Sequence, residues 1–197
     1  MNKIEKIKIF FYFNKMDRID KRIKEKWLLF FYLKEPIEWK NKLTWWYKLS
    51  CLTPTMLGLY IKYFKINELK KYGNFPWNIQ ASLLICNGPL SYMADVVTFG
   101  NYSLWKIADI ICTTSNVILC TSLIPMNITK KLTFTYKFLV TFSTVSFISL
   151  FFKRLSGKEL TKGIIDSSYD SYKYILYHTL WHYIMCGGNI LTLKYTC

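Results

Sequence analysis

His178 and His182 are the only histidines in this 197-residue chain, four positions apart in the apolar stretch Tyr177-His178-Thr179-Leu180-Trp181-His182-Tyr183. In a helix this spacing puts both imidazoles on one face, one turn apart, where they can grip a single metal ion. Two imidazoles packed between helices with their ring nitrogens hydrogen-bonded fit the same spacing. On the pair alone this plainer reading leads, because a metal site needs a third ligand.

Further ligands are scarce. Between Glu68 and Glu159 the only carboxylates are Asp95 and Asp109, both in apolar stretches. A carboxylate inside a membrane costs about 3 kcal/mol or more and calls for a partner or a function. Lys106, three residues before Asp109, offers a local ion pair on one helix face. Asp95 has no basic residue within a helical turn, but Ser91 lies four residues before it on the same face. Pro89 just upstream frees a backbone carbonyl and kinks the helix, as happens beside cavities in membrane helices. Gly88 and Ser91 equally suit plain close packing of helices.

These residues need helices to position them, and the composition supplies long ones. The chain is 52% hydrophobic and 18% aromatic, with positive mean hydropathy. Apolar runs of about 20 residues, the length that crosses a bilayer, fall at 132–152, 171–193, 103–124, 77–98 and 45–64. The expected fold is all-α, a multi-span transmembrane helical bundle of about five spans, with four to seven tolerated. Residues 1–43 carry twice as many basic as acidic side chains. They read as a basic extramembrane segment with an interfacial helix around Trp27 to Leu33, and 44–197 as the bundle. With five spans, the basic residues outside them fall mostly on the side of the N-terminus, which places it in the cytosol or its organellar equivalent. Lys48, Pro54 and Lys62 make 45–64 the weakest span, and demoting it reverses the rest. The first residues show no cleavable signal peptide, and the composition fits an endomembrane (ER or Golgi) and a mitochondrial inner membrane equally.

The net charge of +15 comes from 27 basic residues, of which only three are Arg. Abundant Lys with Ile, Asn, Tyr and Phe points to A/T-rich codon usage. The basic residues flank spans, with Lys153, Arg154, Lys158 and Lys162 placed to meet anionic headgroups, and no nucleic-acid-binding motif accompanies them. The six cysteines show no CxxC and no regular spacing, and read as small buried hydrophobes. The sequons at Asn101 and Asn127 fall in expected short loops.

A Ser with a ligand four positions later on one span, an Asp on the next, and a last span with His-x-x-Trp-His resembles the CREST superfamily of membrane metal-dependent hydrolases. That superfamily includes alkaline ceramidases, the adiponectin and progestin receptors, and GPI-anchor lipid-remodelling proteins. The resemblance covers about residues 77–193 and is strongest at His178-Thr179-Leu180-Trp181-His182. It implies that His178 and His182 bind zinc, that Ser91 stabilises the reacting centre, and that Asp109 is the acidic residue beside the reacting water. The family has histidine where this chain has Asp95, which implies either a His178, His182, Asp95 shell or loss of the metal. Only 69 residues separate Asp109 from His178, room for one clear extra span where the family has three, so the resemblance is to a reduced or divergent member.

Two imidazoles and a carboxylate form a familiar catalytic zinc shell with the fourth position left for water, and the same ligands suit Fe(II). Histidines one turn apart cannot be the two axial ligands of one haem, and no phosphate loop or nucleophile elbow is present. The intramembrane acids also fit transport, which no inverted repeat supports. Two functions follow: a zinc-dependent hydrolase of a lipid amide or ester, ceramide-like or acyl, with membrane lipids as partners, or a non-catalytic relative serving as a structural or partner-binding subunit of a membrane complex.

Overall fold

The computed structural model describes residues 43–98, 103–165 and 172–196. The basic segment 1–42, with its interfacial helix, lies outside them. The described residues are helical apart from short connections and one isolated antiparallel bridge, Gly73 to Leu132. The helices are α1 (Trp45–Ser50), α2 (Thr53–Tyr60), α3 (Ile66–Leu69), α4 (Trp77–Tyr92), α5 (Leu104–Ile128), α6 (Tyr136–Ile165) and α7 (Tyr172–Thr192).

Local chemistry sets several boundaries. Thr44 and Ser103 cap α1 and α5 by accepting from the backbone N–H of Tyr47 and Lys106, and the Thr135 hydroxyl accepts from Phe138 N–H at the start of α6; each satisfies an otherwise orphaned donor. The expected span at 132–152 therefore begins later, at Tyr136. Leu132 and Phe134 turn into an aromatic core instead, where the Phe134 and Phe138 rings stack at 4.0 Å. The expected span at 45–64 is broken at Cys51 and Leu52, then runs through α2 into a π-helical turn, Ile61–Lys65. Asn127 lies in the last turn of α5 rather than in a loop, and its side-chain oxygen accepts from Phe134 N–H at 2.8 Å.

In space the helices form a row: α5 packs on α4, α4 on α2, α2 on α7, and α7 on α6, with α1 also against α7. The two flanking helices each carry a long apolar stretch. Leu104–Ile128 and Tyr136–Leu160 are long and apolar enough to cross a membrane: their 18-residue apolar stretches have mean hydropathies of 1.7 and 1.4, yet only 22% and 17% of those stretches are buried. Their apolar side chains, Ile111, Ile118 and Phe147 among them, therefore face outward, unlike those of a soluble core helix.

The contact between α2 and α4 is close. A Cβ at Gly58 would stand 2.7 Å from the Ala81 carbonyl oxygen, and one at Gly88 would stand 2.1 Å from Thr55 Oγ1. Pro89 has no N–H to donate to the Ile85 carbonyl one turn back. Thr55 fills the gap from α2, its hydroxyl donating to Ile85 O at 2.9 Å. Thr55→Val keeps the volume but orphans that carbonyl, an expected loss of about 1–3 kcal/mol, measurable as a lower unfolding midpoint in detergent. Thr55→Ser should retain most of the stability, and an unchanged midpoint in Thr55→Val would deny the bond its role.

Candidate metal centre

The helix α7 runs uninterrupted through both histidines, and its buried residues Tyr174, Ile175, His178, Thr179, Trp181, His182 and Cys186 recur at helical spacing. His178 is 2% exposed and His182 fully buried. Their Nε2 atoms face each other at 3.0 Å. Asp95 reaches them from α4, whose last turn opens into a π-helical turn, Met93–Val97. The wider turn shifts the angle at which the carboxylate leaves the helix, a device common at functional sites. Its Oδ2 lies 3.2 Å from His178 Nε2 and accepts a long bond of 3.4 Å from the Ser91 hydroxyl.

The other carboxylate oxygen, Oδ1, is ion-paired with the Lys106 ammonium from α5. A 2.8 Å contact between the Thr98 and Ser103 hydroxyls joins the end of α4 to the start of α5 and helps bring Lys106 there. The local pair expected between Lys106 and Asp109 is thereby corrected: the cation crosses to the neighbouring helix, to the carboxylate that had no partner of its own in sequence. Asp109 is buried on α5 and senses the charges of Asp95, Lys106 and Lys153. Among the described residues it makes no hydrogen bond or ion pair with Ser91, Asp95, His178 or His182. Four of the five expected site residues thus meet directly, and the fifth stands nearby.

Several neighbours carry no sequence signal. Ser156 of α6 holds His178 Nδ1 at 3.3 Å. Tyr47 of α1 places its ring 5.5 Å from that of His178, and Tyr174, one turn before His178, lies at 5.3 Å. The Cys51 Sγ, an Asp95 carboxylate oxygen and a His182 ring nitrogen all lie within 4.8 Å of one another. Cys51 is therefore part of the site and not merely a small buried hydrophobe. Tyr174 alone had a signal, its place on the histidine face. Lys153 sets its ammonium 3.6 Å from the centroid of Trp181, whose ring lies 5.2 Å from His178 and 4.4 Å from His182.

These donors fit a metal. Two ligands on tetrahedral zinc at about 2.0–2.1 Å stand about 3.3 Å apart, close to the observed separations of 3.0 and 3.2 Å. A single N–H on His178 Nε2 serves either Asp95 Oδ2 or His182 Nε2, and with the proton on Nδ1 toward Ser156 a lone pair confronts the carboxylate. Asp95 divides its oxygens, one toward Lys106 and one toward the imidazoles, an arrangement suited to a ligand oriented by an outer partner.

No protein-family profile matches the chain, and neither a curated protein nor a solved structure is significantly similar to it.

Proposed function

We propose that the chain is an integral membrane protein of about five helical spans, a divergent relative of CREST hydrolases, whose zinc centre of His178, His182 and Asp95 cleaves a lipid amide or ester. The observation that carries this reading is the crowding of His182 and Asp95 around His178 Nε2, at 3.0 and 3.2 Å, with an apolar cavity of about 430 Å³ on the far side of Trp181. Trp181, against both imidazoles, and Lys153 line that cavity at the site end, and Phe138 and Leu193 line it further away. Such a volume lies in the range of small-ligand pockets. Its mostly apolar wall suits a hydrocarbon chain.

Bound zinc supplies Lewis-acid polarisation of a carbonyl and brings the pKa of a water toward about 7. The protein supplies the rest. Asp109 accepts the proton of the attacking water. The Ser91 hydroxyl donates to the oxygen on which charge develops. Ser156 holds His178 in the tautomer that leaves Nε2 free, and the cavity keeps water from the apolar part of the substrate.

The test is a panel of ceramides, acyl esters and GPI-like lipids offered to the purified protein in nanodiscs. A product that appears with zinc, vanishes with a chelator and is absent from the His182→Ala protein supports hydrolysis. No zinc-dependent product from any of them defeats it.

One observation favours the second reading, a non-catalytic subunit of a membrane complex. Lys106 already neutralises Asp95, so the carboxylate can be buried without a metal. In that case the purified protein carries no zinc, and a membrane complex falls apart when the chain is depleted.

A further inference from the structure

Cys51 stands between α1 and α2, fully buried, and none of the roles assigned above uses it. Its sulfur belongs to a cluster with Asp95 and His182 to which three separate segments each contribute one ligand-type atom within 4.8 Å. His182, the histidine that Cys51 reaches, is itself fully buried, and its Nδ1 has no hydrogen-bond partner among the described residues. The Cys51 thiol makes a long contact of 3.5 Å to the Tyr47 carbonyl and also meets the Ser91 side chain. Sulfur and imidazole thus meet in a buried spot.

Charge points the same way. A zinc ion held by two neutral imidazoles and one carboxylate keeps one net positive charge, buried next to the Lys106 ammonium. Uncompensated like charges in such an interior are costly. A thiolate brings the metal and its ligands to neutrality, and a coordinating thiol gives up its proton.

We propose that Cys51 is the fourth protein ligand of the metal held by His178, His182 and Asp95, closing the shell of the resting protein and occupying the position a reacting water needs. This rests on the metal-centre reading and adds a form of control to it. Four protein ligands make a closed site, whereas three with an open position make a catalytic one. Cys51 is also the ligand easiest to withdraw. It sits at the break between the six-residue α1 and α2, whereas Asp95 and the histidines are fixed on α4 with its π-helical turn and on α7. Displacement of the α1–α2 junction removes the sulfur and leaves the other three ligands in place, with no change of oxidation state.

The experiment loads cobalt(II) into the full-length, metal-free protein in detergent and records the near-ultraviolet charge-transfer band that a thiolate ligand produces. Wild type is expected to bind about one cobalt with that band. Cys51→Ala should lose the band yet still bind cobalt, with affinity lowered by about 100-fold or more, while Cys86→Ala, which removes an exposed thiol, should leave the band unchanged. The opened Cys51→Ala site should also hydrolyse lipid faster than wild type. Wild type that binds cobalt without the band, or a band that survives Cys51→Ala, overturns the role of Cys51 but leaves the metal centre standing. Wild type that binds no cobalt overturns the centre itself.

Discussion

Alanine at position 182 is expected to empty the centre: zinc should fall from about one per chain to background, with the helical circular dichroism nearly unchanged. His182 is fully buried with its Nε2 3.0 Å from that of His178, so its loss removes a donor that no other residue can replace. Loss of an outer-shell partner alone costs about 10- to 100-fold in affinity, and loss of a ligand should cost more. His178→Ala should behave alike. Asp95→His, which would give the site three imidazoles, is expected to strengthen binding only if Lys106 is also changed, for instance to Met. The single substitution strips Lys106 of its carboxylate and leaves an ammonium facing the metal. Zinc retained at full stoichiometry by His182→Ala would remove the histidine pair from the site.

Asp109→Asn is expected to lower zinc-dependent turnover by about 100-fold or more while leaving KM and zinc content near their wild-type values. The amide keeps the shape of the carboxylate and cannot accept the proton. Asp109 is suited to the task because it is buried and senses the charges of the site without being tied to Lys106. Ser91→Ala should cost less, since its 3.4 Å contact with Asp95 is one that a bound metal would replace in holding that carboxylate. A turnover that survives Asp109→Asn would transfer the proton to another group.

The helices were readable from sequence because apolar runs and helical periodicity are local properties. The histidine face of α7 is the clearest case: Tyr174, His178 and His182 recur every fourth residue and are all buried. Pairing between helices was not readable in the same way. Lys106 reads as the partner of Asp109 on sequence separation, yet its ammonium crosses to α4, since a side chain of that length reaches a neighbouring helix as easily as its own next turn. Cys51 had no signal at all. It lies far along the chain from every other ligand, and only the packing of α2 between α4 and α7 brings it to them. The π-helical turn Met93–Val97, which sets the direction of Asp95, likewise leaves no periodic mark.

Thr55 follows Cys51 by four residues, just inside α2, and Ile85 and Asp95 share the continuous helical run of α4 and its π-helical turn, so the 2.9 Å bond from Thr55 to the Ile85 carbonyl works as a vernier for the site. A slide of α2 along α4 by one residue would move the sulfur about 1.5 Å, whereas a metal tolerates ligand distances only within about 0.2 Å. Gly58 and Gly88 allow the two backbones to mesh closely enough for that graduation to hold. The missing amide of Pro89 thus becomes an alignment mark, and the accuracy of the centre is set one to two turns away from any of its ligands.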